Sequence, residues 1–281
     1  MTTTPAGAAG TPGAPIRLVA SDIDGTLLRH PEPLPRATVD AIRAVLDAGI
    51  DFLPVTGRPM RWLDAITDAV PGLGHIVCAN GAVVYDLVHD RVETAHTIDA
   101  DALGGFVDVV RDHIPDARLA FETLHGMYME KGYVLPAPKR ATLVKVGDCS
   151  QVHDVVKVLL RTGSSDSDAL LAQVRSAFGE SLHASHSNPE NGLVELAPAG
   201  VTKARTLAAY CEERGIAAAE VAAFGDMPND LEMLQWAGHG YAMADGHPEA
   251  IAIARLTAPA LGEGGVASVL RAIAREARGA H

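Results

Sequence analysis

Asp22 and Asp24 place two carboxylates one residue apart at the end of an apolar segment, and Gly25 follows them directly. The segment predicts an interior strand of a parallel sheet, and ligands of open α/β sheets bind just beyond the carboxyl ends of such strands. Because two close carboxylates repel each other unless a cation or a proton intervenes, the pair indicates a hard divalent ion with oxygen ligands. Gly25 lets the backbone curl around one site. A solvated surface turn is the alternative that this segment alone leaves open.

A second acidic turn begins at Gly225 and Asp226, directly after a predicted strand at residues 221–224. Asn229 and Asp230 follow in the same turn. A carboxylate-bound Mg²⁺ site requires acidic groups from separate strands at one edge of a sheet. The sequence therefore predicts that the two acidic turns meet where their strands end.

A small polar turn of Thr56, Gly57 and Arg58 ends another predicted strand, at residues 50–55, and Pro59 follows at a helix start. A hydroxyl and a flexible backbone at such a position are suited to bind an anion such as phosphate. An ordinary helix cap has the same composition and is the alternative.

Lys203 lies in the first turn of a predicted helix that Thr202 caps. The helix dipole favours negative charge at that end, so a lysine there indicates another use. A surface lysine is the alternative.

The strands and helices that position these residues fall into two predicted domains, as the length of 281 residues and the 48% hydrophobic content suggest. The pattern of alternating strands and helices holds over residues 16–84 and is expected to resume at residues 190–281, beginning with a strand at 193–196. Residues 85–189 mix short strands with helices and predict an inserted α+β domain. Residues 1–15 have no periodicity and predict a disordered tail.

Composition excludes several classes of protein. The formal net charge of −12 argues against a nucleic-acid-binding protein, which needs clustered Lys and Arg. Neither a membrane-spanning stretch nor a secretory leader is visible, so a cytoplasmic location is expected. Three widely separated cysteines, Cys78, Cys149 and Cys211, indicate packing residues rather than disulfides or a zinc site.

Taken together and in their order along the chain, the motifs resemble those of the haloacid dehalogenase (HAD) superfamily of phosphatases. The large insertion after Asn80 resembles the cap of its Cof-like subgroup, which lies between the second and third motifs. The resemblance covers the chain from about residue 16 to the C-terminus, although the cap matches in size and position rather than in motif. It implies an α/β fold, with a Rossmann-like parallel-sheet core and an inserted α+β cap domain.

The resemblance also implies a role for each motif residue. It makes Asp22 the nucleophile and Asp24 the general acid and base. Both of these, with Asp226, are implied as Mg²⁺ ligands, and Asp230 is implied to orient the lysine or the metal shell. The residues implied to bind phosphate are Thr56, Gly57, Arg58, Lys203 and Asn229.

The implied function is a Mg²⁺-dependent phosphatase that hydrolyses a small phosphorylated metabolite through an aspartyl-phosphate. Sugar phosphates, nucleotides and phosphorylated cofactors are all open as substrates, and so is the oligomeric state. A phosphosugar mutase of the same superfamily and a catalytically silent binding protein are the alternatives. The cap is expected to be a lid that selects the substrate, with candidate contacts at His125, Tyr128, Lys131 and Tyr133.

Overall fold

The computed structural model describes residues 14–134, 141–145, 148–149, 151–178 and 182–279. The predicted tail lies outside the described residues except for its last two. The strands are β1 (Leu18–Ser21), β2 (Asp51–Pro54), β3 (His75–Cys78), β4 (Val83–Asp86), β5 (Arg91–Ala95), β6 (Arg118–Thr123), β7 (Gly126–Glu130), β8 (Ala141–Val144), β9 (Val155–Arg161), β10 (Leu182–Ser185), β11 (Leu193–Pro198), β12 (Val221–Gly225), β13 (His239–Met243) and β14 (Leu256–Ala258).

The α-helices alternate with the core strands and flank the cap strands. They are α1 (Arg36–Leu46), α2 (Asp64–Thr67), α3 (Ala100–His113), α4 (Ser167–Phe178), α5 (Lys203–Glu213), α6 (Leu231–Trp236), α7 (Pro248–Ile253) and α8 (Gly265–Gly279). Among the described residues, no helix is long and apolar enough to span a bilayer.

The core is a five-stranded parallel sheet in the order β14-β13-β12-β1-β2. Strand β1 is buried on both faces, because Val19 packs on the side of α1 and α8 whereas Leu18 and Ala20 pack on the side of α5 and α6. Such two-sided burial explains why the sequence of this strand is largely apolar. The predicted α/β class with a parallel-sheet core is confirmed.

A three-stranded unit of β3, β4 and β5 extends this core beyond β2. Strand β3 bridges β2 in parallel at Val77 and Val55, and β4 and β5 then pair antiparallel next to it. Val84 of β4 packs in the same hydrophobic cluster as the core strands. The chain therefore stays with the core through Ala95, the last residue of β5.

The insertion forms a separate six-stranded sheet in the order β10-β11-β9-β6-β7-β8. Its hydrophobic cluster joins one face of the sheet to α3 and α4, through residues such as Phe106, Val158 and Val174. The other face carries Glu122, Lys157 and Glu195, which contact the core. An inserted α+β cap domain is thus present, as predicted.

Strand β11 belongs to the cap sheet and corrects one expectation. It pairs antiparallel with β9 and β10, so the parallel sheet resumes at β12 and not at residues 193–196. Alternating burial explains the error, because Val194 and Leu196 face the cap helices while Glu195 faces the core. From these pairings we propose that the cap extends over residues 98–198.

Candidate active site

Three neighbouring strands of the core deliver the candidate residues to one edge of the sheet. Asp22 follows directly after β1, Asp226 directly after β12, and Thr56 two residues after β2. Because β2, β1 and β12 are adjacent and parallel, their carboxyl ends lie side by side. The structure therefore brings together the residues of all three predicted turns.

Lys203 is the buried cation of the site. Its Nζ atom lies 2.8 Å from Asp22 Oδ1 and 2.7 Å from Asp230 Oδ1, and its exposed fraction is 1%. Burial by itself lowers the pKa of Lys203, but the charges of the two aspartates raise it above its usual value. Thr202 caps the helix that carries Lys203, as predicted, because its Oγ1 atom accepts a hydrogen bond from the Arg205 backbone N–H. The first turn of α5 thus points a charged amine at the end of β1.

Asp226 is held close to the first acidic turn. Thr26 Oγ1 donates a hydrogen bond of 2.6 Å to Asp226 Oδ1. Gly25 has a φ of +86°, and a Cβ atom there would come within 2.1 Å of Asp226 Oδ2. A glycine is therefore needed at this position both for the backbone conformation and for the approach of the two turns.

Three buried aspartates form an acidic cluster that fits a divalent cation. Ligand oxygens of Asp22, Asp226 and Asp230 all lie within 4.8 Å of one another. Burial raises the pKa of Asp22 to about 7, against the opposing effect of Lys203, and burial raises the pKa of Asp226 well above its usual value. Buried carboxylates with one lysine between them favour a bound cation, and hard oxygen donors of this kind suit Mg²⁺.

The side chain of Asp24 lies outside that acidic cluster. Arg58 donates to both of its oxygens, from Nε to Oδ2 at 2.7 Å and from Nη2 to Oδ1 at 2.6 Å. About a third of the Asp24 side chain is exposed, whereas Arg58 is buried. The Asp24 side chain was predicted to be a metal ligand, but it is not part of the acidic cluster. The third carboxylate of that cluster belongs to Asp230.

The polar turn after β2 is built as a compact loop. The Arg58 backbone N–H donates to Thr56 Oγ1 at 3.0 Å, and the Asn80 backbone N–H donates to the Thr56 carbonyl at 3.0 Å. Thr56 has an exposed fraction of 1%. The guanidinium of Arg58, which was predicted to bind phosphate, is engaged with Asp24 instead.

Asn229 reaches the same loop from the second acidic turn. Its Nδ2 atom donates to Asn80 Oδ1 at 3.0 Å. Its Oδ1 atom is buried and has no hydrogen-bond partner within the described part of the chain. Asp230, next to it, accepts hydrogen bonds from the backbone N–H groups of Asp226 and Met227, both at 3.1 Å, and so fixes the turn and Lys203 together.

Several residues of the site were missed by the sequence analysis. Lys157 and Glu195 reach the core from the cap sheet, and Asn80 lies between them and Asn229. The sequence does contain a signal for the first two, because each is a charged residue in the interior of an otherwise apolar strand segment. Thr26, which follows Gly25, was not assigned a role.

The four cap residues predicted to contact substrate lie in different environments. Tyr133 is buried in a small cluster with Met127 and Leu159. His125 is exposed and lies 3.2 Å from Asp154. The remaining two do not share this cluster, since Tyr128 packs against the helix side of the cap and Lys131 is exposed.

Comparisons with known proteins agree with this arrangement. A sequence model of haloacid dehalogenase-like hydrolases matches residues 19–270. The curated 5-amino-6-(5-phospho-D-ribitylamino)uracil phosphatase YitU of Bacillus subtilis (strain 168) is 29% identical over 260 residues, or 90% of this chain and 96% of the relative.

Solved structures share the fold over nearly the whole chain. A phosphatase of the HAD superfamily from Bacteroides thetaiotaomicron has a TM-score of 0.77 at 22% identity, and a HAD/COF-like hydrolase from Plasmodium vivax has a TM-score of 0.80 at 21% identity. Each alignment covers 94% of this chain and 97% of the other.

The structure combines a parallel-sheet α/β core, an inserted cap and an acidic site at the strand ends. The chain belongs to the haloacid dehalogenase-like hydrolase family. The predicted resemblance to Cof-like HAD phosphatases is confirmed, and so is the prediction that the chain is an enzyme of the phosphatase type.

Proposed function

We propose that the chain is a Mg²⁺-dependent phosphatase that hydrolyses a small phosphorylated metabolite through an aspartyl-phosphate on Asp22. The observation that carries the proposal is the position of Asp22. Its carboxylate lies at the end of β1, 2.8 Å from the Lys203 ammonium group and within the buried acidic cluster.

The Asp22 carboxylate is the nucleophile. One of its oxygens attacks phosphorus in line with the leaving oxygen, which forms an aspartyl-phosphate and breaks the ester bond. Lys203 is held by Asp22 and Asp230, so its charge lies where negative charge develops on the phosphoryl oxygens. Thr56, Gly57 and Asn229 bind the phosphate from the neighbouring turns.

Asp24 moves the proton. It protonates the leaving alkoxide in the first half of the reaction and takes a proton from water in the second half. Its side chain is partly exposed, so a leaving group can reach it. Arg58 orients the Asp24 carboxylate by two parallel hydrogen bonds and so fixes where the proton is delivered.

Asp22 and Asp226 are the side chains that would hold Mg²⁺ in this proposal, and the backbone carbonyl of Asp24 would be the further ligand on the first turn. When bound, the ion cancels the repulsion between a phosphate dianion and the attacking carboxylate. Asp230 is already engaged with Lys203 and two backbone N–H groups, so we assign it to orienting the lysine.

The substrate class we propose is a phosphorylated sugar or sugar alcohol attached to a small ring. The support is the curated relative, whose name gives 5-amino-6-(5-phospho-D-ribitylamino)uracil as its substrate. The cap face above the site has a polar part and an apolar part, which suit the sugar and the ring of such a substrate. The polar part is the charged pair Lys157 and Glu195 near the core, and the apolar part consists of the side chains of Met127, Tyr133 and Leu159.

The test is a screen of phosphate release from a panel of phosphorylated metabolites, with Mg²⁺ present and after exhaustive chelation. We expect release from at least one sugar-type phosphate, loss of release on chelation, and no release by Asp22→Asn. Undiminished release after chelation would contradict the metal dependence. Equal release by wild type and Asp22→Asn would contradict the nucleophile.

A further inference from the structure

Glu195 and Lys157 form a buried ion pair on the face of the cap sheet that meets the core. Lys157 Nζ lies 2.8 Å from Glu195 Oε1, and the exposed fractions of the two residues are 3% and 5%. A buried ion pair is weak evidence for stability, since the desolvation of two charges offsets much of their attraction. The contacts that the pair makes with the core are therefore the informative ones.

Both members of the pair reach the loops that we propose to bind phosphate. Lys157 Nζ donates a hydrogen bond of 2.6 Å to the carbonyl oxygen of Gly57. The second oxygen of Glu195 accepts from Asn80 Nδ2 at 2.8 Å, and Asn80 Oδ1 accepts from Asn229 Nδ2 at 3.0 Å. A Cβ atom on Gly57 would lie 3.0 Å from Asn80 Oδ1 and 3.3 Å from Glu195 Oε2, so a side chain at this position would crowd both groups.

The direction of each hydrogen bond follows from the chemistry of Glu195. An ionised carboxylate only accepts, so Asn80 must turn its amide nitrogen toward Glu195 and its carbonyl oxygen toward Asn229. Asn229 must then donate to Asn80 through its nitrogen. The two ends of an amide have nearly the same shape, so sterics alone would not select between the two orientations.

We propose that Glu195 is a positioning residue that sets the orientation of the Asn229 amide, with Lys157 balancing its charge, so that Asn229 offers an N–H group to the phosphate when the cap is seated on the core. This inference rests on the proposed phosphatase function. It links cap seating to phosphate binding, because the ion pair belongs to the cap whereas Asn80 and Asn229 belong to the core.

The test compares Glu195→Gln with Glu122→Gln. Glutamine keeps the shape of glutamate but can present either an oxygen or a nitrogen to Asn80, so the amide orientation is no longer imposed. Glu122 is a matched control, because it is also a buried carboxylate of the cap sheet and its side-chain hydrogen bonds go to Arg61 of the core. Both substitutions weaken a cap–core contact, but only Glu195→Gln changes the amide chain.

The measured quantity is the inhibition constant of inorganic phosphate, with Mg²⁺ present and a small aryl phosphate as substrate. Inorganic phosphate has no leaving group for the cap to recognise. We expect Glu195→Gln to raise the constant by about tenfold or more, the effect of one lost hydrogen bond to a charged group, and Glu122→Gln to change it by less than about twofold. Equal constants for wild type and Glu195→Gln, or equal increases in both glutamine variants, would overturn the inference.

A variant on the core side gives an independent reading. Asn80 has a φ of +58°, so Asn80→Gly removes the connecting amide without straining the backbone. We expect it to raise the phosphate constant by itself and to abolish any further effect of Glu195→Gln. If Glu195→Gln does not fold, an unchanged constant in Asn80→Gly still overturns the inference. If wild type releases no phosphate from any ester, the proposed function fails and this inference fails with it. If wild type is active but the phosphate inhibition constants of wild type and Glu195→Gln are equal, only this inference fails.

Discussion

Arg58 donates a hydrogen bond to each carboxylate oxygen of Asp24, from Nε at 2.7 Å and from Nη2 at 2.6 Å, although the two residues follow different strands. The planar guanidinium matches a carboxylate with two parallel hydrogen bonds, and the ammonium group of lysine cannot reproduce this geometry. The orientation of the proposed acid is therefore set by a residue of the phosphate-binding turn.

The first prediction concerns the two hydrogen bonds from Arg58 to Asp24. Arg58→Lys retains the positive charge but loses the paired hydrogen bonds, so we expect kcat to fall by about tenfold or more while the protein stays folded. Steady-state kinetics with circular dichroism as the folding check measures this. A kcat equal to that of wild type would show that Asp24 needs no orientation by Arg58.

The second prediction separates the two aspartates of the first turn. Asp24→Asn cannot donate the proton that an alkyl leaving group needs, so we expect a loss of about 10²-fold or more in kcat for an alkyl phosphate. An aryl phosphate with an acidic phenol as leaving group needs that proton less. For this ester, Asp24→Asn should therefore lower the rate of the first half-reaction by a smaller factor. Burst kinetics with both esters measure that step, and equal losses would argue against a general acid at this position.

The third prediction tests the approach of Gly25 to Asp226. Gly25→Ala and the control Gly49→Ala both place a side chain at positive φ, at +86° and +76°, which costs about 1–2 kcal/mol of stability. At Gly49 nothing lies within 4 Å of the added Cβ, whereas at Gly25 the Cβ meets Asp226. We therefore expect only Gly25→Ala to lose most of its activity, as measured by denaturant unfolding and phosphate release. Similar activities of the two variants would contradict this account.

The fourth prediction concerns His183 on the core-facing side of the cap. Burial lowers its pKa below the ordinary value of 6.5, although the charge of Glu232 acts in the opposite direction. The folded protein then binds fewer protons here than the unfolded chain, so this contribution to stability is present above about pH 6.5 and is lost as the pH falls through the folded-state pKa. We expect the melting temperature of wild type to fall more between about pH 8 and pH 5.5 than that of His183→Gln.

Comparing each protein with itself at about pH 8 removes the packing cost of the substitution from that measurement. Parallel pH curves for wild type and His183→Gln would contradict the prediction. A steeper fall for the variant would reverse its sign.

The sequence predicts the position of Asp22, Asp226 and Lys203 well, because each follows a strong local signal. The two aspartates come directly after largely apolar strands, and the lysine opposes the dipole of its own helix. Parallel pairing of neighbouring strands then brings these signals to one edge of the sheet. No long-range information beyond the fold class is needed.

The contacts from the cap could not be predicted in the same way. Glu195 meets Asn80 across 115 residues of sequence, and its strand has an alternating pattern that suits a half-buried strand of either sheet. Which sheet receives β11 depends on β9 and β10, and their pairing is not visible in the local pattern. The separation of Asp24 from the other carboxylates was missed for a related reason, since it depends on where the Arg58 side chain lies.

The central claim is that Asp22 attacks the phosphate and carries it covalently. The most direct measurement is rapid acid quenching during turnover with an excess of an aryl phosphate whose leaving group is an acidic phenol, followed by peptide mass spectrometry. The account predicts a phosphoryl group on the peptide that contains Asp22 in wild type, more of it in Asp24→Asn because hydrolysis of the intermediate is slowed, and none in Asp22→Asn. Steady phosphate release by wild type with no phosphoryl group on that peptide in either wild type or Asp24→Asn would contradict it.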